Sequence, residues 1–138
     1  MAANTSPIYS RTPQFEWGTT ALTTANTAKD GTGTVLTVFI ADATEGSRVE
    51  KIRFRAAGTN VATVARVFIN NGSTNATAAN NILFEEITLP ATTLSETSAL
   101  ANQEIILNLS LPAGYKLNVT IGTTVAAGYY ISAHGGKY

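Results

Sequence analysis

The sequence predicts an all-β fold, an antiparallel β-sandwich that is jelly-roll-like, with an extended N-terminal arm. Three observations carry this expectation. Short runs of β-branched and aromatic residues recur along the chain, several alternating strictly between apolar and polar positions. Turn-forming Pro, Gly and Asn residues separate them, as at Asn71-Gly72 and Pro112-Ala113-Gly114. No window carries an apolar period near 3.6, so at most one helical turn fits, within LSETSALANQ (94–103).

Residues 1–33 read as an arm and loop. They hold Pro7 and Pro13, the aromatic residues Tyr9, Phe15 and Trp17, and then TTALTTANTAKDGTGT, with one weak strand near Thr19 to Leu22. This segment is too short and polar to build a core of its own. Ordering its large aromatics against something apolar is favourable by roughly 1.5–3 kcal/mol each. The arm is therefore expected to be an attachment element, with Tyr9, Phe15 and Trp17 as anchors and Arg11 as a polar contact at the rim; the competing expectation is that it folds back on its own sandwich or on a neighbouring copy.

Residues 34–138 read as a single sandwich domain. TVLTVFIA (34–41) is nearly all apolar, as suits a strand covered on both faces. In RVEKIRFRAAG (48–58), Ile52, Phe54 and Ala56 take one face and Lys51, Arg53 and Arg55 the other. Further strands are expected at 63–70, 82–89, 104–111, 115–121 and 128–134. Phe39, Ile52, Phe54, Val67, Leu107, Leu117, Val119 and Ile131 are the expected core. LNLSLPAGYKLNVTIG (107–122) reads as a hairpin, its two apolar faces joined through Pro112-Ala113-Gly114. Seven strong strands and a weak eighth, with two long connections, favour a jelly roll over an immunoglobulin-like sandwich; the single Trp lies in the arm and there is no Cys pair.

Composition narrows the function. The 138 residues carry 9 Lys plus Arg and 9 Asp plus Glu, so the formal charge is zero and no domain-wide field draws in nucleic acid. Charged residues make up only 13% of the chain, about half the usual share, and a surface so poor in charge is weakly defended against association with partner chains. With no Cys, disulfides, thiolate catalysis and cysteine zinc sites are excluded. No apolar leader opens the sequence and no run approaches the roughly 18 residues of a membrane span, so neither secretion nor a membrane partner is expected. Asn-X-Ser/Thr triplets such as Asn108-Leu109-Ser110 and Asn118-Val119-Thr120 then reflect a Thr- and Asn-rich composition.

Reactive side chains do not assemble into a known pattern. His134 is the only histidine, and one His supplies neither a triad nor a zinc site; it reads as a surface or strand-end residue. Glu85 and Glu86 are adjacent on a strand and point to opposite faces, and Asp42 with Glu45 are too few for calcium. KDGTGT (29–34) lacks the Gly-Lys-Ser/Thr ending of a phosphate loop. No enzyme activity, cofactor or metal is expected. What stands out is the stripe of Lys51, Arg53 and Arg55, with Arg66 nearby. Like charges at this spacing repel mildly, so either Glu50, Glu85 or Glu86 answers them or a partner chain does.

LPAGYKLNVTIGTTVAAGYYISAHGGKY (111–138), preceded by RVEKIRFRAAG and ILFEEITLP (82–90), resembles the small β-rich virion proteins of tailed bacteriophages, especially capsid decoration (cement) proteins of jelly-roll type. The resemblance covers residues 34–138 in style and rhythm. It implies a homo-oligomer, a trimer, that is assembled in the host cytoplasm, sits on the capsid exterior and bridges subunits of the major capsid protein. A second reading is a carbohydrate- or receptor-binding module of a tail fibre, using Tyr129, Tyr130, Tyr138 and Asn118.

Overall fold

The computed structural model describes residues 10–138. Tyr9 and Pro7, two of the residues singled out in the arm, lie outside the described residues. Eight strands form: β1 (Thr12–Trp17), β2 (Leu36–Ile40), β3 (Ser47–Ala56), β4 (Thr63–Asn70), β5 (Asn81–Leu89), β6 (Gln103–Leu111), β7 (Lys116–Ile121) and β8 (Tyr129–Lys137). They pair into two antiparallel four-stranded sheets, β1-β8-β3-β6 and β2-β7-β4-β5. Every connection except β4 to β5 passes from one sheet to the other, which is the winding of a jelly roll. All seven strands expected after residue 33 are present, their ends shifted by at most three residues.

The core lies between the sheets. Val49, Ile52, Phe54, Ile131 and Ala133 face inward from one, and Phe39, Ala65, Val67, Leu117, Val119 and Ile121 from the other. Of the expected core residues, only Leu107 is left half-buried, at the margin.

Four expectations need correction. First, the eighth strand lies at Thr12–Trp17 rather than near Thr19–Leu22, so this part of the arm belongs to the sandwich, paired with β8 from Thr12↔Lys137 to Trp17↔Ser132. Leu22 makes only an isolated bridge to Tyr129. Second, the predicted hairpin is a corner between sheets: β6 pairs with β3, whereas β7 pairs with β2 and β4. Alternating strands that face each other across a core have the same pattern as strands paired along a ladder, so periodicity alone cannot separate them. Third, β2 is an edge strand and is not covered on both faces. Ile40 is exposed, and a bulge at Val38 lets Val38 and Phe39 both be buried. Fourth, residues 94–103 hold no helical turn; a 3₁₀ turn forms instead at Ala78–Asn80.

Polar side chains stitch the two sheets at the β1–β2 side. Gln14 and Glu16 point inward from β1, where the Gln14 amide donates to the Ile40 carbonyl (2.7 Å) and Glu16 accepts from the Ile40 N–H (2.7 Å). Ser47 in turn donates to Gln14 Oε1 at 2.6 Å. The backbone of an edge strand is thereby occupied by side chains, which guards it against pairing with another chain.

Candidate functional site

The outer faces of the two sheets differ. After Leu22 has followed β8 through its bridge to Tyr129, residues 25–35 run across the β2-β7-β4-β5 sheet, an excursion that begins beside Ile121, through the Ala25 bridge and the Asn26 N–H donating to the Ile121 carbonyl (2.8 Å). It reaches the far strand at Asn81, whose amide donates to the Asp30 carbonyl (3.2 Å), and then returns to Leu36. Asn26 holds it by donating to the carbonyls of Thr32 and Thr34, and Asn75 by donating to those of Gly31 and Gly33. Beneath it Phe68, Asn70, Asn118 and Thr120 are buried on the side of the sheet facing away from the core.

The outer face of the β1-β8-β3-β6 sheet is open, and strand register arranges its side chains in cross-strand rows. One row is Phe15, His134, Lys51 and Ile106; the next is Trp17, Ser132, Arg53 and Glu104; a third brings Tyr130 beside Arg55. Phe15, Trp17 and Tyr130 keep 59%, 62% and 59% of their surface in water, so the aromatic residues are displayed rather than packed. The rings of Phe15 and Trp17 lie 5.7 Å apart at 48°, and the Phe15 ring is 6.2 Å from that of His134. A sheet of four strands holds these groups without the entropy that a loop would lose on binding.

The stripe points outward because of a bulge. Against β8, Val49 sits opposite Gly135 and Lys51 opposite His134, so Glu50 is an extra residue in β3. Val49 faces the core; after the bulge the parity changes, sending Ile52 and Phe54 inward and Lys51, Arg53 and Arg55 outward. The acid that answers them is Glu104 of β6, not Glu50, Glu85 or Glu86. Lys51 reaches it at 3.3 Å and Arg53 at 2.7 Å, while Arg55 donates to Asn102 Oδ1 at 2.6 Å. Two cations thus share one carboxylate while Arg55 has only neutral acceptors, and the stripe keeps an excess of positive charge. Arg66 is not part of the stripe: it lies on the other sheet, paired with Glu86 at 2.8 Å. Glu50 lies 3.8 Å from His134.

The hydrogen bond from Arg53 holds the Glu104 carboxyl below its ordinary value near 4.5; partial burial opposes it, and Lys51 lowers it further. A lowered folded-state pKa contributes stability above the ordinary value, and this is lost as pH falls through the lowered one. Glu104→Gln is therefore expected to melt somewhat below the native protein at neutral pH, with the gap narrowing under acid. Thermal melts of both proteins from neutral to strongly acidic pH check this.

Of the candidate residues in the described chain, Phe15, Trp17, Lys51, Arg53 and Arg55 converge on this one face. Arg11 does not. It binds Glu45 and the Tyr138 carbonyl (3.1 Å), fastening the start of β1 to the end of the chain and to the turn that precedes β3. The second set, Tyr129, Tyr130, Tyr138 and Asn118, is dispersed: Tyr129 and Asn118 are buried, Asn118 bonds Thr37 on the covered side, and the Tyr138 hydroxyl is engaged with Ser110. Three members of the face escaped sequence reasoning as site residues: His134, Tyr130 in its present role, and Ile106. The alternation of GYYISAHGG, which puts Tyr130, Ser132 and His134 on one side, was the available signal. Among the described residues no group of three or more His, Asp or Glu is placed to hold a metal. Comparison with family models, with curated proteins and with solved structures finds no match to this chain.

Proposed function

We propose that this chain is a non-enzymatic structural protein of a tailed-phage virion: a decoration, or cement, protein that binds the major capsid protein on the outside of the head and stabilises the shell. In this reading it assembles in the host cytoplasm as a homotrimer and docks through the outer face of the β1-β8-β3-β6 sheet. One observation carries the docking assignment. One broad side of the sandwich is covered by the chain's own residues 25–35, whereas the other displays aromatic residues beside a cationic stripe on rigid strands.

The chemistry of the face defines its partner. Phe15, Trp17, Tyr130 and Ile106 offer apolar area to exclude water, and Lys51, Arg53 and Arg55 offer donors in excess of the one acid, Glu104, that Lys51 and Arg53 share. A complementary capsid surface would carry apolar side chains next to carboxylates. Burying the aromatic residues supplies most of the affinity, and the charges set register and association rate.

The direct test is co-sedimentation of the purified protein with heads assembled without it. Saturable binding that weakens as salt rises, with decorated heads resisting heat better than bare ones, is the expected result. Absence of binding to bare heads, together with selective glycan binding on an array, would replace this reading with the receptor-binding one.

A further inference from the structure

The two narrow sides of the sandwich are unlike each other, and both are apolar. In each sheet the end strands are β1 and β6, or β2 and β5, so one narrow side is formed by β1 with β2 and the other by β5 with β6. On the β5–β6 side the core is not closed. Ile87, Ile105, Leu107 and Leu109 pack against it yet remain half-buried, and Ile82, Leu83 and Phe84 leave 62%, 36% and 41% of their surface in water. At roughly 150–200 Å² per large side chain, these last three expose on the order of 250 Å² of apolar area. A standard interface takes about 800 Å² from each partner, a little over half of it apolar, or about 450 Å². These three side chains supply about half of that, and the four half-buried ones beside them add to it.

The β1–β2 side is concave. An open groove of about 720 Å³ runs between the two edge strands, bordered by Trp17 and Ile40 and lined by Val35, Leu36 and Val38. The β5 edge is guarded against adding a strand, by a bulge at Phe84 and by Glu85-Glu86 in mid-strand. Contact there must be made by side chains rather than by a backbone ladder, and Ile82, on the core-side face beside Ile69, with the exposed Phe84 at the bulge offers apolar groups to a groove.

We infer that the β5–β6 edge of one copy seats in the β1–β2 groove of the next, so that copies join head to tail and close into a ring. The inference rests on the self-association proposed above and names its surfaces. A contact between two different patches of the same chain generates a ring when the rotation closes. Every copy then has both narrow sides covered, with Trp17 at the rim of the contact, while the part of the broad face that carries Lys51, Arg53, Arg55 and Tyr130 stays free.

Sedimentation velocity on the isolated protein at micromolar concentration tests this with two substitutions at exposed positions, Ile82→Asp on one edge and Ile40→Asp in the groove. Native protein is expected as a closed oligomer. Each variant is expected as a monomer with an unchanged melting temperature. An equimolar mixture of the two should give a one-to-one dimer, because each variant retains the edge that the other has lost. A monomeric native protein overturns the inference. So does Ile40→Asp assembling like the native chain, since that would mean β5–β6 edges pair with each other, and so does a mixture that stays monomeric. No capsid is involved, so these outcomes are separate from head binding: a protein that assembles but ignores bare heads fails only the virion reading.

Discussion

Gly135→Ala is expected to destabilise the protein by on the order of 3 kcal/mol or more, enough to lower the melting temperature by about 10 °C. A Cβ at this position would lie 1.7 Å from the Arg48 carbonyl oxygen and 2.9 Å from the Val49 Cα, both backbone atoms of the adjacent strand. No rotamer change relieves such a clash; β3 and β8 must separate. The site is also where Glu50 is extruded from the ladder, so the strain falls on the bulge that turns Lys51, Arg53 and Arg55 outward. Gly114→Ala is the control. There the space is open and only the backbone angle, φ 76°, is unfavourable, so a cost of about 1 kcal/mol is expected. Urea or thermal unfolding of both variants measures the difference, and equal stability of the two would show that the bulge tolerates a side chain.

Trp17→Ala is expected to weaken attachment to bare heads by about 2 kcal/mol or more, some thirtyfold, while leaving the melting temperature nearly unchanged. The two effects separate because Trp17 is exposed: truncation removes little from the folded chain but takes away the largest aromatic surface of the proposed docking face. Arg53→Ala should act differently. It leaves Glu104 with Lys51, reduces affinity less, and flattens the dependence of binding on salt. Titration of heads with each variant at two salt concentrations distinguishes them. If Trp17→Ala binds as tightly as the native protein, the outer face of this sheet is not the attachment surface.

β1 shows why part of this face was hidden in the sequence. Its polarity is inverted: Gln14 and Glu16 turn inward to bond the Ile40 backbone, and Phe15 and Trp17 turn outward. A reading that places apolar residues inside cannot recognise such a strand, and Pro13 further masks it. β3 was legible from Lys51 onward because alternation there is strict. The change of parity at Glu50 was not, since a bulge depends on the neighbouring strand and here on a glycine many residues away. The aromatic and basic candidates could be listed from the sequence, but their meeting on one face follows from β1-β8-β3 adjacency, which is a property of the winding and not of any one segment.

The excursion of residues 25–35 over one sheet makes the molecule directional. With one broad side closed by its own chain, a copy seated through the other has only one way up, and its closed side looks away from whatever it is seated on. The turn after Gly72 leans on that excursion through Asn75 and is exposed at Ser73 and Thr74. A peptide spliced between Gly72 and Ser73 would therefore be carried outward by every seated copy, making this turn a natural handle for displaying foreign sequence without touching the surfaces used for contact.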